Sequence, residues 1–593
     1  MKKIFFVIAG IAALLSIQFL SCGTKEHSAA ELRKHLTSQV NDFDTYLTDS
    51  VQSLLDHPVA QQQLVNTFKT LRNKYKRFEW AVEYYMPSIA RFVNGAPLPE
   101  IEQPEVVVRE PHGLQVMEEL ILEDSIDYGT LKHETVLLKS YCISIKDNIE
   151  AGGFTQEQLY DAIKKQVFRI ITLGITGFDA PSIKTGLTEA AVSLSALAAI
   201  TPFLEGKSNL NEKINAAVSY LNTNTDFDAF DRMVFIKDYA NPVTRTLTAQ
   251  QQQAGIAAIR LQGLLKTNAA TLFDKDIFDP YFQESASTDP KLNEKILLGK
   301  KLFYDNILSA SKKRSCATCH NPGLYFTDGL AKNTALDVSR TLLRNTPTLL
   351  NAALQTSMFY DLRSPSLEHQ ASDVISNSDE MHGDFNRAIQ QLSTDTAYVQ
   401  LFEGAYHANT VTKENILAAI ASYVKSLVGL TSRFDEYMRG NNKAMNKEEI
   451  AGFNLFSGKA KCASCHFIPL FNGVVPPAFA KTESEVLGVP LTADGKKIDT
   501  DTGRYKIINV APYLHAFKTT TVRNTGETGP YMHNGVYKTL DEVIDFYDRG
   551  GGIGLGLQVN NQTLSDEPLH LTPHEKKLLI AFIQTLMDKA PQY

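Results

Sequence analysis

The sequence predicts a mainly α-helical chain: an N-terminal helical bundle followed by two small helical domains in tandem. Three observations carry that reading. Apolar residues from about 30 to 275 recur at spacings of three and four, the period of one helix face. A Cys-x-x-Cys-His motif occurs twice in the second half, with Cys316 and Cys462 lying 146 positions apart, one small domain each. No long strand-rich stretch separates the two motifs. With 593 residues, 43% hydrophobic and 21% charged, the chain has length for about three to five domains and can bury their cores. That composition argues against disorder, collagen and a multi-span membrane protein. A net charge of −7 argues against nucleic-acid binding.

Taken in order, residues 1–22 read as an export signal. Lys2 and Lys3 are followed by an apolar run from Ile4 to Leu20, slightly short for a transmembrane helix. Small residues flank Cys22 in Ser21-Cys22-Gly23, as in a bacterial lipoprotein signal whose cysteine becomes the acylated N-terminus. The alternative is a plain secretory signal in which Cys22 is incidental. Both place the folded protein in the cell envelope, in the periplasm, and the lipoprotein reading anchors it to a membrane by its acyl chains.

Residues 23–280 form the expected helical N-terminal domain. Leu32, Leu36, Val40, Phe43, Leu47, Val51 and Leu54 share one helix face, and Leu64, Phe68, Leu71, Tyr75 and Phe78 share another. A Pro-rich break follows at Pro97, Pro99, Pro104 and Pro111, and further apolar helical stretches are expected at Leu187–Leu204 and Ile256–Leu265. Cys142 reads as a buried small hydrophobe. The segment Phe278–Pro290 reads as a linker to two further domains, 281–440 and 441–593.

Cys316-Ala317-Thr318-Cys319-His320 and Cys462-Ala463-Ser464-Cys465-His466 carry the chemistry. Two thiols three residues apart on one helical turn can each add to a haem vinyl group, and the adjacent imidazole then points to the iron. Zinc sites would need further paired ligands, and no cysteines remain to supply them. A thioredoxin-like motif would want a βαβ context, which is absent. Two covalently bound haem c groups follow, in two tandem cytochrome c-like haem domains.

Residues 298–593 resemble the bacterial di-haem cytochrome c peroxidase family, including its MauG-like oxidase branch. The resemblance rests on Leu298-Gly299-Lys300-Lys301-Leu302-Phe303-Tyr304-Asp305, the first haem motif, Phe326-Thr327-Asp328-Gly329, Arg344-Asn345-Thr346-Pro347, Phe359-Tyr360-Asp361-Leu362-Arg363 and Asn377-Ser378-Asp379-Glu380-Met381. After the second motif come Gly503-Arg504-Tyr505, Thr521-Val522-Arg523-Asn524 and Pro530-Tyr531-Met532-His533-Asn534-Gly535.

The resemblance implies roles. His320 would be the proximal ligand of a peroxidatic haem, and Glu380 the distal acid that shuttles a proton between the peroxide oxygens. Gln370 matches a distal glutamine that orients peroxide. His466 would hold an electron-transfer haem whose second iron ligand falls on Tyr547, with Met532 as the competing ligand; a phenolate favours ferric or higher-valent iron. Tyr360 stands where peroxidases of the family carry a tryptophan between the haems. Asn345, with the carbonyls of Thr519 and Thr521, matches the ligands of a structural Ca²⁺. The family's well-studied peroxidases carry a blocking histidine in the loop after the first motif, but no histidine lies between Asn321 and Glu368. The first haem is therefore expected to be open even when oxidised.

The implied activity is cytochrome-c peroxidase: reduction of H₂O₂ to water with electrons from a small redox protein, a cytochrome c or cupredoxin. The alternatives are a MauG-like peroxide-dependent oxidase of a protein or organic substrate and a non-catalytic di-haem electron-transfer lipoprotein. In the N-terminal half, the segment from His112 to Glu118 loosely resembles the Gly-x-His-x-x-Glu motif of imelysin-like envelope proteins, with a different spacing. An interaction or docking module is expected there.

Overall fold

The computed structural model describes residues 29–57, 60–102, 107–260, 262–282, 289–407 and 411–589. The export signal and Cys22 lie outside the described residues. The chain is mainly α-helical, and the named strands among the described residues form two short antiparallel pairs. It divides into two units, one of residues 29–227 and 234–259, the other of 228–233 and 260–589.

The first unit is a helical bundle. Its opening helix, residues 29–46, runs through a π-helical turn, Leu47–Gln52, into Ser53–Asp56. Leu32, Leu36, Val40, Phe43, Leu47 and Val51 are buried as the period requires, but the next buried position is Leu55 and not Leu54. A π-turn adds one residue to the helix and so delays the stripe by one position. Helix Gln61–Tyr75 buries Leu64, Phe68, Leu71 and Tyr75, and Phe78 follows them into the core. The rings of Phe43, Tyr75 and Phe78 meet edge-on or tilted, with centroids 5.4 to 6.3 Å apart. The Pro-rich break carries a short strand pair, Glu100–Glu102 against Val107–Arg109.

An ionic lattice lies within this apolar bundle. Arg72 grips both oxygens of Glu189 at 2.7 and 2.9 Å, and Arg169 grips Asp179 at 2.6 and 2.8 Å. Lys76 bridges Glu79 and Asp179, each at 2.6 Å. Buried charges persist only when paired in this way. The segment Gly186–Phe203 is long and apolar enough to cross a membrane, but it carries Glu189 into that lattice and is a core helix.

The expected helix at Ile256–Leu265 does not form. Helix Asn241–Gln253 ends at Gly255, whose φ of +70° suits glycine, and the Ile256 and Gly255 amides turn back to the Gln251 and Gln252 carbonyls. This Schellman closure stops the helix whatever apolar residues follow. His112 and Glu118 do not converge. His112 Nδ1 lies 3.0 Å from Glu134, while Glu118 accepts the amides of Ser182 and Ile183.

The second unit repeats one plan twice. In the first half, helix Leu292–Tyr304 crosses helix Lys413–Lys425; in the second, helix Lys447–Phe456 crosses helix Pro573–Gln584. A glycine permits each crossing. A Cβ on Gly299 would lie 1.8 Å from the Ala419 carbonyl oxygen, and one on Gly452 would lie 2.0 Å from that of Leu578. Phe434, Phe453, Phe456, Phe471 and Phe582 pack around the second crossing, with centroids 5.2 to 5.9 Å apart. Each buried ring is worth about 1.5–3 kcal/mol of transfer free energy.

Candidate haem sites

Both haem motifs lie in the second unit, each on a single turn behind its helix crossing. Ser315 caps the turn Cys316–Cys319 in a capping box with Thr318, which fixes where the turn starts. His320 follows directly, and its Nδ1 lies 3.0 Å from the Phe326 carbonyl. The second motif is a 3₁₀ turn, Cys462–Ser464, and His466 Nδ1 lies 3.0 Å from the Thr520 carbonyl. A carbonyl can only accept, so in both rings Nδ1 carries the proton and Nε2 keeps its lone pair for a metal. Burial lowers the pKa of His320 and pushes that of His466 down to about 4, which favours the neutral imidazole in both.

The thiols fit the same reading. All four are free of disulfides. Burial pushes Cys316 up to about 12 and Cys319 to about 11, and Cys462 up to about 12. A redox-active Cys-x-x-Cys pair shows the opposite, a lowered pKa. Among the described residues, no group of three or more His, Cys, Asp or Glu side chains is placed to hold a metal ion. The donor set of each motif, two thiols and one imidazole, would suit a covalently held haem.

Glu380 sits in the loop after helix Leu367–Ser376 and is half-buried. Asn377 Nδ2 donates to its carboxylate at 2.8 Å. Burial raises its pKa above the ordinary carboxylate range, with Asn377 pulling the other way. Arg314, two residues before Cys316, ties this loop to the first motif: its guanidinium donates to the carbonyls of Glu380, Thr334 and Ala335 at 3.2, 3.0 and 2.7 Å. Gln370 lies on the same helix, partly buried. His369 and His382, the histidines nearest this segment, are exposed, and His369 Nδ1 is engaged by the Ser366 hydroxyl at 3.0 Å.

Tyr360 joins the two halves of the unit. Its carbonyl accepts the Lys518 amide at 2.6 Å, and its hydroxyl lies 3.4 Å from Asn345 Oδ1. Arg344 fastens the same seam, donating to Asp361 at 2.6 Å and to Asp501 at 2.6 and 3.1 Å. Lys518 itself lies in the strand pair Ser484–Glu485 with Phe517–Lys518, and burial pulls its pKa down to about 8. Tyr547 ends helix Leu540–Asp548. Burial raises its pKa. Met532 packs on the same apolar cluster as Tyr547. Of the calcium candidates, Asn345 Nδ2 donates to the Leu330 carbonyl and the Thr519 carbonyl accepts the Gly473 amide. The Thr521 hydroxyl donates to the Leu470 carbonyl.

The sequence reading assigned no role to Arg314, Arg344 or Lys518. Arg344 belongs to the Arg344-Asn345-Thr346-Pro347 segment, but its two acids are 17 and 157 positions away. Arg314 looks like any basic residue beside Lys312 and Lys313. Only the fold shows which carbonyls it reaches.

Comparison with known proteins agrees with this geometry. A family described as di-haem cytochrome c peroxidase matches residues 293–443. The chain is 34% identical over 301 residues to the methylamine utilization protein MauG of Methylorubrum extorquens, covering 50% of this chain and 79% of that protein. It is 33% identical over 321 residues to the cytochrome-c peroxidase IdrP1 of Denitromonas iodatirespirans, covering 51% and 84%. It is 30% identical over 296 residues to the cytochrome c551 peroxidase of Nitrosomonas europaea, covering 50% and 80%. The chain therefore belongs to the di-haem cytochrome c peroxidase family that includes MauG, a family of oxidoreductases with two haem c groups.

Proposed function

We propose that this protein reduces H₂O₂ at the first haem motif, with Glu380 as the proton shuttle and the second motif as the entry for electrons from a small redox protein in the periplasm. The placement of Glu380 carries the reading. Its carboxylate is half-buried, shifted up by burial and held by Asn377, and its own carbonyl is held by Arg314, two residues before the first motif. A haem held by Cys316, Cys319 and His320 would supply the electrons that break the O–O bond. Glu380 takes the proton from one peroxide oxygen and returns it to the other, which leaves as water. Gln370 orients the peroxide. With two electrons and two further protons, one H₂O₂ gives two waters. Tyr547 would hold the second iron, with Met532 as the rival, and Tyr360 would bridge the two sites. Asn345 and the carbonyls of Thr519 and Thr521 hold a structural Ca²⁺ across the seam. Cys22 carries the lipid anchor.

The test is Glu380→Gln. Both haems and the fold should persist, while peroxide turnover falls by about 10²–10⁴-fold, the usual worth of a general acid–base group. Unchanged kcat would remove Glu380 from the proton path. A second reading, peroxide-dependent oxidation of a protein or organic substrate, is favoured by a phenol, Tyr547, as the candidate ligand of the second iron and by the exposure of His369 and His382. It requires the fully oxidised protein to react with H₂O₂ without prior reduction.

A further inference from the structure

An aromatic file leads from the first motif to the protein surface. The Phe326 carbonyl holds His320, and the Phe326 ring lies 6.2 Å from that of Phe303. Phe303 in turn lies 5.1 Å from Tyr423 and 5.3 Å from Tyr304. The two tyrosine rings are 6.4 Å apart and their hydroxyls 3.5 Å. Tyr423 is buried at 3% exposure, whereas Tyr304 is 43% exposed. Cys316 packs against the same cluster, so the file starts at the haem attachment point.

We propose that Tyr304 is a surface oxidation site at which phenolic reductants deliver electrons to the first haem pocket through this file. The residue types suit the task. A phenylalanine ring is too hard to oxidise to store a hole and serves as a short bridge. A tyrosine can give up an electron if its proton has somewhere to go. Tyr423 is walled in, and burial with the Tyr304 hydroxyl holds its proton tightly. Tyr304 opens onto water. After H₂O₂ has reacted, the electron-poor pocket draws an electron from Tyr304, whose phenolic proton leaves to solvent. The resulting neutral phenoxyl takes a hydrogen atom, electron and proton together, from a phenol at the surface. Two such turns consume one peroxide: H₂O₂ and two phenols give two waters and two phenoxyl radicals. Trp80, the chain's one tryptophan, lies in the first unit, so no indole in the second unit competes for this task.

The inference rests on peroxide reacting at the first motif, and the experiment separates the two. The oxidised holoprotein is mixed with H₂O₂ in the presence of a tyrosyl-radical trapping reagent, the Soret band is followed, and the labelled residue is found by peptide mapping. Label on Tyr304 is expected, with none in that peptide in Tyr304→Phe. Guaiacol oxidation should fall at least about tenfold in Tyr304→Phe, while the Soret response to peroxide stays as in the wild type. A Soret change with no label on Tyr304, or full guaiacol activity in both Tyr304→Phe and the Tyr304→Phe/Tyr423→Phe double variant, overturns the surface site alone. A Soret band that ignores peroxide in both the oxidised and the reduced protein overturns the peroxide reading, and this inference with it.

Discussion

Replacing Arg523 by methionine should be among the most damaging single changes in the second unit. The guanidinium is 1% exposed and donates to both oxygens of Asp435 at 2.8 Å, to Asp588 at 3.3 Å and to the Pro469 carbonyl at 2.8 and 3.3 Å. It thereby joins helix Arg433–Met438, the turn just after His466 and the C-terminal segment. Methionine fills similar volume but leaves two buried carboxylates without their cation. Removing one partner of a buried pair typically costs about 3–5 kcal/mol. For a unit of this size, at an unfolding entropy of about 2.1 cal/mol/K per residue, that corresponds to a fall in Tm of about 4–7 °C. Thermal unfolding of the holoprotein, followed by far-UV circular dichroism, measures it. Arg523→Lys should fall between the two, because an ammonium keeps the charge but not the fork that grips both Asp435 oxygens. Adding Asp435→Asn and Asp588→Asn to Arg523→Met should restore part of the loss, since no orphan charge remains. A Tm shift of less than about 2 °C for Arg523→Met would refute the reasoning.

Other outcomes follow from the same geometry. Because burial raises the Glu380 pKa and the shuttle needs the carboxylate, the peroxide reaction should weaken as pH falls through a value above 4.5; that acid limb should vanish in Glu380→Gln, and a limb unchanged in the variant would assign it to another group. Gly452→Ala drives a methyl into the Leu578 carbonyl and should cost about 1–3 kcal/mol in denaturant unfolding; a neutral result would mean the crossing can open. Tyr547→Phe should change the electronic spectrum of the second haem and leave the first untouched; if only Met532→Leu does so, Met532 is the ligand.

The chain's own order of residues determined the mainly helical class, the two Cys-x-x-Cys-His turns and most buried positions of the first two helices. These are local properties: a period of about 3.6, a cap, two thiols on one turn. The tertiary structure decided what depends on distant partners. The π-turn at Leu47–Gln52 shifted the stripe from Leu54 to Leu55, and the left-handed Gly255 ended a helix that apolar periodicity carried onward. The buried lattice of Arg72, Lys76 and Arg169 was invisible because two of its acids, Asp179 and Glu189, come from other elements of the fold. At the candidate site the axial histidines were legible from the motifs alone. The carbonyls that set their tautomers were not, since His320 finds Phe326 six residues on and His466 finds Thr520 after 54. Arg314 gained its place beside Glu380 only when 66 residues of intervening chain folded back, because a hydrogen bond reads distance in space and a motif reads distance along the chain.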